Sequence, residues 1–129
     1  MAASTTFVAA DGDGYERQMG RWSRRLAELF LDFVGTAAGE TILDVGSGTG
    51  SLATALASRC EFARLLGVDF SSIYVAHAIR HCHDPRVTFA VSDACALDLP
   101  ERSFDRVLTL LVLHFVPRTV MLRADEVIQ

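Results

Sequence analysis

Residues 41–51 read T-I-L-D-V-G-S-G-T-G-S, an apolar run that ends in an acid and passes into three alternating glycines. Gly46, Gly48 and Gly50 leave no side chain over the turn. A ligand can therefore lie directly against backbone N–H groups where the next helix begins. Such a turn after a first strand suits a nucleotide-like ligand, and three chemistries compete for it. A phosphate loop requires G-x-x-x-x-G-K-[ST], yet no lysine follows Gly50. A dinucleotide loop requires G-x-G-x-x-G or a terminal alanine; counted from Gly46, its last position is Ser51. Asp44, two residues before the first glycine, would repel a pyrophosphate and favour a cation. The bland alternative is that Asp44 caps its own turn.

The elements that must position these residues follow from periodicity. Trp22, Leu26, Leu29, Phe30 and Phe33 fall on one face of a helix that Gly35 can stop, which favours core packing for Trp22. Beyond it, residues 41–45 read as a buried strand and 51–59 as a helix. Residues 64–69 form a second strand, and 72–82 a helix capped by Ser71 or Ser72. Pro85 closes that unit. Residues 87–91 and 104–113 read as strands three and four, and 119–128 as a helix with Val116, Val120, Ala124, Val127 and Ile128 on one side. Strands alternating with helices at this spacing imply a doubly wound, parallel, Rossmann-like α/β sheet. Residues 1–14 are small and polar, a flexible tail, and 15–129 form one domain.

S-adenosylmethionine is a cationic nucleoside, with an ammonium and a sulfonium. L-D-V-G-S-G-T-G resembles the first motif of class I S-adenosylmethionine-dependent methyltransferases in its D-x-G-x-G-x-G form. The resemblance implies cofactor roles for Asp44, Gly46, Ser47, Gly48 and Gly50. It extends to Asp69, 23 residues after Gly46 at the end of G-V-D-F-S, where the family's acid accepts from the ribose hydroxyls. Phe70 would lie on the adenine face or pack into the core. In V-S-D-A, Asp93 and the Ala94 N–H stand where the family reads the adenine edge, unless Asp93 is a turn residue. L-D-L-P-E-R-S-F-D-R-V-L and L-V-L-H-F-V resemble the fourth strand and the segment after it, with Leu111 lining the methyl-donor pocket. His114 could deprotonate or hydrogen-bond the acceptor, or be a satisfied loop histidine. Y-E-R-Q-M-G-R-W-S resembles the leading helix of the type 11-like subgroup akin to ubiquinone/menaquinone C-methyltransferases, with Tyr15 and Trp22 as candidate caps over the cofactor.

Bulk properties narrow the rest. The chain has 129 residues, 50% hydrophobic and 22% charged, enough for one globular domain. A net charge of −4 argues against a partner held mainly through nucleic-acid phosphates. Three cysteines without a C-x-x-C pair suggest reduced thiols in a cytoplasmic protein, with Cys60 and Cys95 as small apolar fillers. The longest apolar stretch, 107–116, is too short for a membrane span. His77, His81, Cys82 and His83 invite a metal reading, but they fall on what should be an exposed crossover helix far from the glycines, and no metal is expected. Arg21, Arg24 and Arg25 read as a solvated face.

The family's sheet has seven strands, so the resemblance implies that this chain supplies only the N-terminal four. Its last strand would then be an apolar edge, apt to pair with another copy. Three functions stay open: methyl transfer from S-adenosylmethionine to a small-molecule acceptor, a truncated and inactive cofactor-binding fragment, or a nicotinamide- or nucleotide-binding module.

Overall fold

The computed structural model describes residues 12–100 and 102–110. A short helix α1 (Gly12–Tyr15) and a π-helical turn (Glu16–Gly20) run into α2 (Arg21–Val34). There follow β1 (Thr41–Val45), α3 (Ser51–Arg59), β2 (Arg64–Asp69), α4 (Ser72–His81), β3 (Val87–Val91) and β4 (Arg106–Thr109). The four strands form one parallel sheet in the order β3-β2-β1-β4. The chain leaves β1 toward β2 on one side and returns to β4 on the other. That reversal opens a crevice at the carboxyl ends of the strands, beside β1.

Alternation along the strands decides which side chains meet the helices. Ile42, Leu65 and Val87 stand in one row of the sheet; Asp44, Gly67, Phe89 and Leu108 stand in the next row on the same face. Leu52, Ala53 and Leu56 of α3 and Ala27 and Leu31 of α2 complete the core over that face with Phe62. Asp44 thus occupies a position that packing would give to an aliphatic residue. At the opposite end of the sheet, Arg106 grips Glu40 bidentately, Nε to Oε2 at 2.7 Å and Nη2 to Oε1 at 2.8 Å. The Thr41 N–H donates to Asp105 Oδ2 at 2.8 Å, so β1 and β4 are pinned in register where they begin.

The structure departs from the sequence reading in four places. Residues 12–14 are helical, not tail. α2 turns Ser23, Ala27 and Leu31 inward, while Trp22 is 64% exposed and Leu29 and Phe33 face solvent. Small residues at 23 and 27 let α2 approach α3 closely, which bulky ones would prevent. Of the described part of the expected 104–113, β4 covers Arg106–Thr109, because an apolar run alone does not mark where hydrogen-bonded pairing begins and ends; 111–113 lie outside the described residues. Cys95 is exposed, whereas Cys60 and Cys82 are half-buried against the core. The helix expected over 119–128, together with Leu111 and His114, lies outside the described residues. Among the described residues no helix is long and apolar enough to cross a membrane.

Candidate cofactor site

The turn after β1 is built around its glycines. Gly46 and Ser47 both donate their N–H groups to the Val68 carbonyl, at 2.8 and 2.9 Å, which folds the loop back over the tip of β2. Gly50 sits at φ +92° and starts α3, and a Cβ there would lie 3.3 Å from Ala78 and 3.4 Å from the Phe89 ring. Both the backbone angle and the neighbours exclude a side chain. At Gly48 nothing stands within 4 Å of where a Cβ would be, so the crest of the loop is open. α3 begins with no side-chain cap, leaving its first N–H groups without that partner.

Two acids lie beneath this loop. Asp69, 8% exposed, accepts the Gly48 N–H on Oδ2 and the Ser71 N–H on Oδ1, both at 2.9 Å. Each oxygen keeps a second acceptor position. Asp44 is 1% exposed and its Oδ2 has no hydrogen-bond partner. Burial, and after it the charge of Asp69, push the Asp44 carboxyl up from its ordinary range to about 7. Among the described residues, four buried side-chain atoms lack a partner: Asp44 Oδ2, Ser47 Oγ, Thr109 Oγ1 and His77 Nδ1. The first three belong to the glycine loop or to the tips of β1 and β4, where Thr109 is in register with Val45. Orphaned polar atoms along one edge of the sheet call for partners from outside the chain, water or ligand. Thr109 is the member that motif reading missed; its only sequence signal is its place at a strand end.

The other candidate residues are distributed around this edge. Phe70, next to Asp69, is exposed rather than packed in the core. Asp93 forms a turn, its Oδ1 accepting the Cys95 N–H at 2.8 Å. The Ser92 N–H donates to the Asp69 carbonyl, which ties the start of that turn to the tip of β2. Trp22 faces outward from α2. Tyr15 lies in α1. His77 corrects the expectation of an exposed α4 surface distant from the glycines. It is buried, and its ring stacks on that of His81 at 4.1 Å. With His81 and Arg25 it shares a cleft of about 410 Å³ lined also by Gly50 and Ser51. Its Nδ1 lies 3.0 Å from Asp13 Oδ1, an ion-pair distance without hydrogen-bond alignment.

This donor set fits a cationic sulfur nucleoside. A buried carboxylate with an unpartnered oxygen suits an ammonium, an open glycine crest admits close backbone contact, and a lone hydroxyl (Ser47) stands beside both. Comparison with known proteins agrees. The family model described as methyltransferase domain matches residues 42–127. The demethylmenaquinone methyltransferase of Thermus thermophilus is 38% identical over 89 residues, which is 67% of this chain and 39% of that protein. The 27-O-demethylrifamycin SV methyltransferase of Amycolatopsis mediterranei is 32% identical over 97 residues, 72% of this chain and 35% of that one. Among solved structures, an S-adenosylmethionine-dependent methyltransferase from Mesorhizobium loti superimposes with a TM-score of 0.67 at 26% identity, covering 82% of this chain and 48% of that one. The chain thus spans less than half the length of the relatives named. With the sheet order, the glycine turn and the matched residues together, the chain belongs to the class I S-adenosylmethionine-dependent methyltransferase family.

Proposed function

We propose that the chain binds S-adenosylmethionine over the glycine turn and directs methyl transfer to a small-molecule acceptor. The observation that carries this reading is Asp44: a carboxylate sealed beneath the loop with one oxygen unpartnered. A buried acid is costly unless something compensates it, and the ammonium of an amino-acid moiety does so. Around it, Ser47 and the Gly46, Gly48 and Gly50 backbone hold the same moiety. Asp69 offers its two spare acceptor positions to the ribose hydroxyls, Phe70 stacks on adenine, and Asp93 with the Ala94 N–H reads the adenine edge. Thr109, the last residue of β4, adds its hydroxyl to the same edge, and the resemblance assigns Leu111 to the methyl-donor pocket and Tyr15 to its cover.

What the cofactor supplies when bound is a methyl group already activated by a positive sulfur. The chain's own residues therefore need to bind, align and exclude water more than to activate. Orientation alone can be worth many powers of ten in effective concentration. His114 takes a proton from the acceptor where the acceptor atom carries one. The relatives named methylate a demethylmenaquinone and a rifamycin, which favours an apolar, hydroxyl- or ring-bearing small molecule over a nucleic acid.

A second reading rests on the share of the relatives' length that the chain spans. In it the chain binds cofactor, and turnover requires further residues. Calorimetry with S-adenosylhomocysteine tests what both readings share: saturable binding that Asp44→Asn and Asp69→Ala each weaken at least tenfold. Heat with NAD and none with S-adenosylhomocysteine would overturn the assignment. Given binding, methyl transfer to a panel of quinols and hydroxylated polyketides separates the two readings.

A further inference from the structure

α2 carries two apolar faces, and the fold uses only one. Ala27 and Leu31 enter the core, whereas Trp22 is 64%, Leu29 60% and Phe33 89% exposed, with Leu26 half-buried between them. Positions 22, 26, 29 and 33 advance by four, three and four residues, the spacing of a coiled-coil seam. The stripe runs for roughly 16 Å at about 1.5 Å per residue and lies about a third of a turn from the buried face. Single exposed apolar side chains are ordinary, but a continuous line with a tryptophan and a phenylalanine marks an interaction surface.

Charge along the same helix says what covers it. Arg25 and Asp32 lie on the flank of the stripe away from the core, two turns apart, each one residue before a seam position. Among the described residues, Arg25 makes no hydrogen bond or ion pair, and Asp32 uses only Oδ1, toward Arg59. Asp32 is 62% exposed, so its other oxygen is accessible. A flank positive at one end and negative at the other, around an apolar middle, complements itself when a second copy is turned end for end. That is the requirement for a two-fold interface.

We infer that α2 is a homodimer seam, in which two copies pack antiparallel through Trp22, Leu26, Leu29 and Phe33, with Arg25 of each copy on Asp32 of the other. The apolar stripe is separate from the β4 edge, and its Arg25 flank borders the cleft that Gly50 and Ser51 also line.

Trp22 is the chain's single tryptophan, so its emission reports on the seam directly. Sedimentation velocity from 1 to 100 µM should show a monomer–dimer equilibrium, and Trp22 emission should shift to the blue as dimer forms. Phe33→Glu, which removes no core contact, should give a monomer with unchanged far-ultraviolet circular dichroism and unchanged S-adenosylhomocysteine binding. Arg25→Asp and Asp32→Arg should each weaken dimerisation about tenfold, and the two together in one chain should restore it. The inference is overturned by a monomer at 100 µM, by a dimer that survives Phe33→Glu, or by a double charge swap that fails to restore association.

Discussion

The two strand–turn–helix units at the centre of the sheet are near neighbours with opposite states of completion. At the tip of β2, Asp69 spends both oxygens on backbone N–H groups, and Ser71 caps α4 by accepting the Tyr74 N–H at 3.2 Å. At the tip of β1, Asp44 and Ser47 are buried with atoms unpartnered, and α3 begins at a glycine with no side-chain cap. One unit is completed by its own residues; the other keeps buried polar atoms that its own residues do not pair. The difference supports the proposed ligand site more than the motif does, since the glycines alone could serve a phosphate, a dinucleotide or a sulfonium. It also assigns labour. Asp69 holds the loop in shape through Gly48, and Asp44 waits beneath it.

Removing Asp69 should produce the largest effect. Asp69→Ala forfeits two hydrogen bonds to a charged group, each worth about 1.5–3 kcal/mol, so urea denaturation should show a loss of roughly 3–5 kcal/mol. A loss under about 1 kcal/mol would mean that the β2 tip does not hold the glycine loop. Asp69→Asn removes the charge as well and should lower the Asp44 pKa, visible as a displaced carboxyl titration by NMR.

Asp44→Asn should act in the opposite direction on stability. The folded-state pKa near 7 exceeds the ordinary 3.8, so the folded chain binds the Asp44 proton more tightly than the unfolded chain does. The contribution of Asp44 should therefore be most favourable below about pH 4, decline as pH rises toward 7, and level off above that. A tenfold difference in proton affinity between the two states is worth about 1.4 kcal/mol, which bounds the loss at about 4 kcal/mol by pH 8. Asp44→Asn should be more stable than wild type at pH 8, match it near pH 4, and lose S-adenosylhomocysteine binding at both. A cationic ligand should also bind wild type more tightly as pH rises through 7, when the carboxylate forms without cost. A flat stability profile from pH 4 to 8 would mean that Asp44 is not the sealed acid the geometry makes it.

Sequence reading reached the alternation of strands and helices, the glycine turn and a serine cap at Ser71 or Ser72, of which the fold uses Ser71, because each is written locally, in spacing or in one residue type. It missed what depends on which surfaces meet. α2 offers two apolar faces, and the bulkier one, through Trp22 and Phe33, looked like the core; the close approach to α3 selected Ala27 and Leu31 instead. An apolar run could not show where the pairing of β4 begins and ends. The proposed site role of Asp44 was legible in sequence; its burial and its unpartnered oxygen were not. Its isolation follows from Gly67 and Leu108 beside it, set by strand register. Thr109 was invisible for the same reason.

Two smaller substitutions sharpen the contrast between the units. Gly67 is the place where they touch: a Cβ there would lie 2.7 Å from Phe89 Cδ1 and 2.9 Å from Ser47 Cβ. Gly67→Ala should cost about 1–3 kcal/mol by overpacking, and should also weaken S-adenosylhomocysteine binding because Ser47 must shift. Ser71→Ala removes only a cap and should cost about 1 kcal/mol in thermal or urea unfolding. Its effect on cofactor affinity should be nil, because the Ser71 N–H that Asp69 accepts belongs to the backbone and survives the change. A tenfold fall in affinity for Ser71→Ala would mean that the α4 cap shapes the Asp69 site, and the division between a self-capped and an uncapped turn would fail.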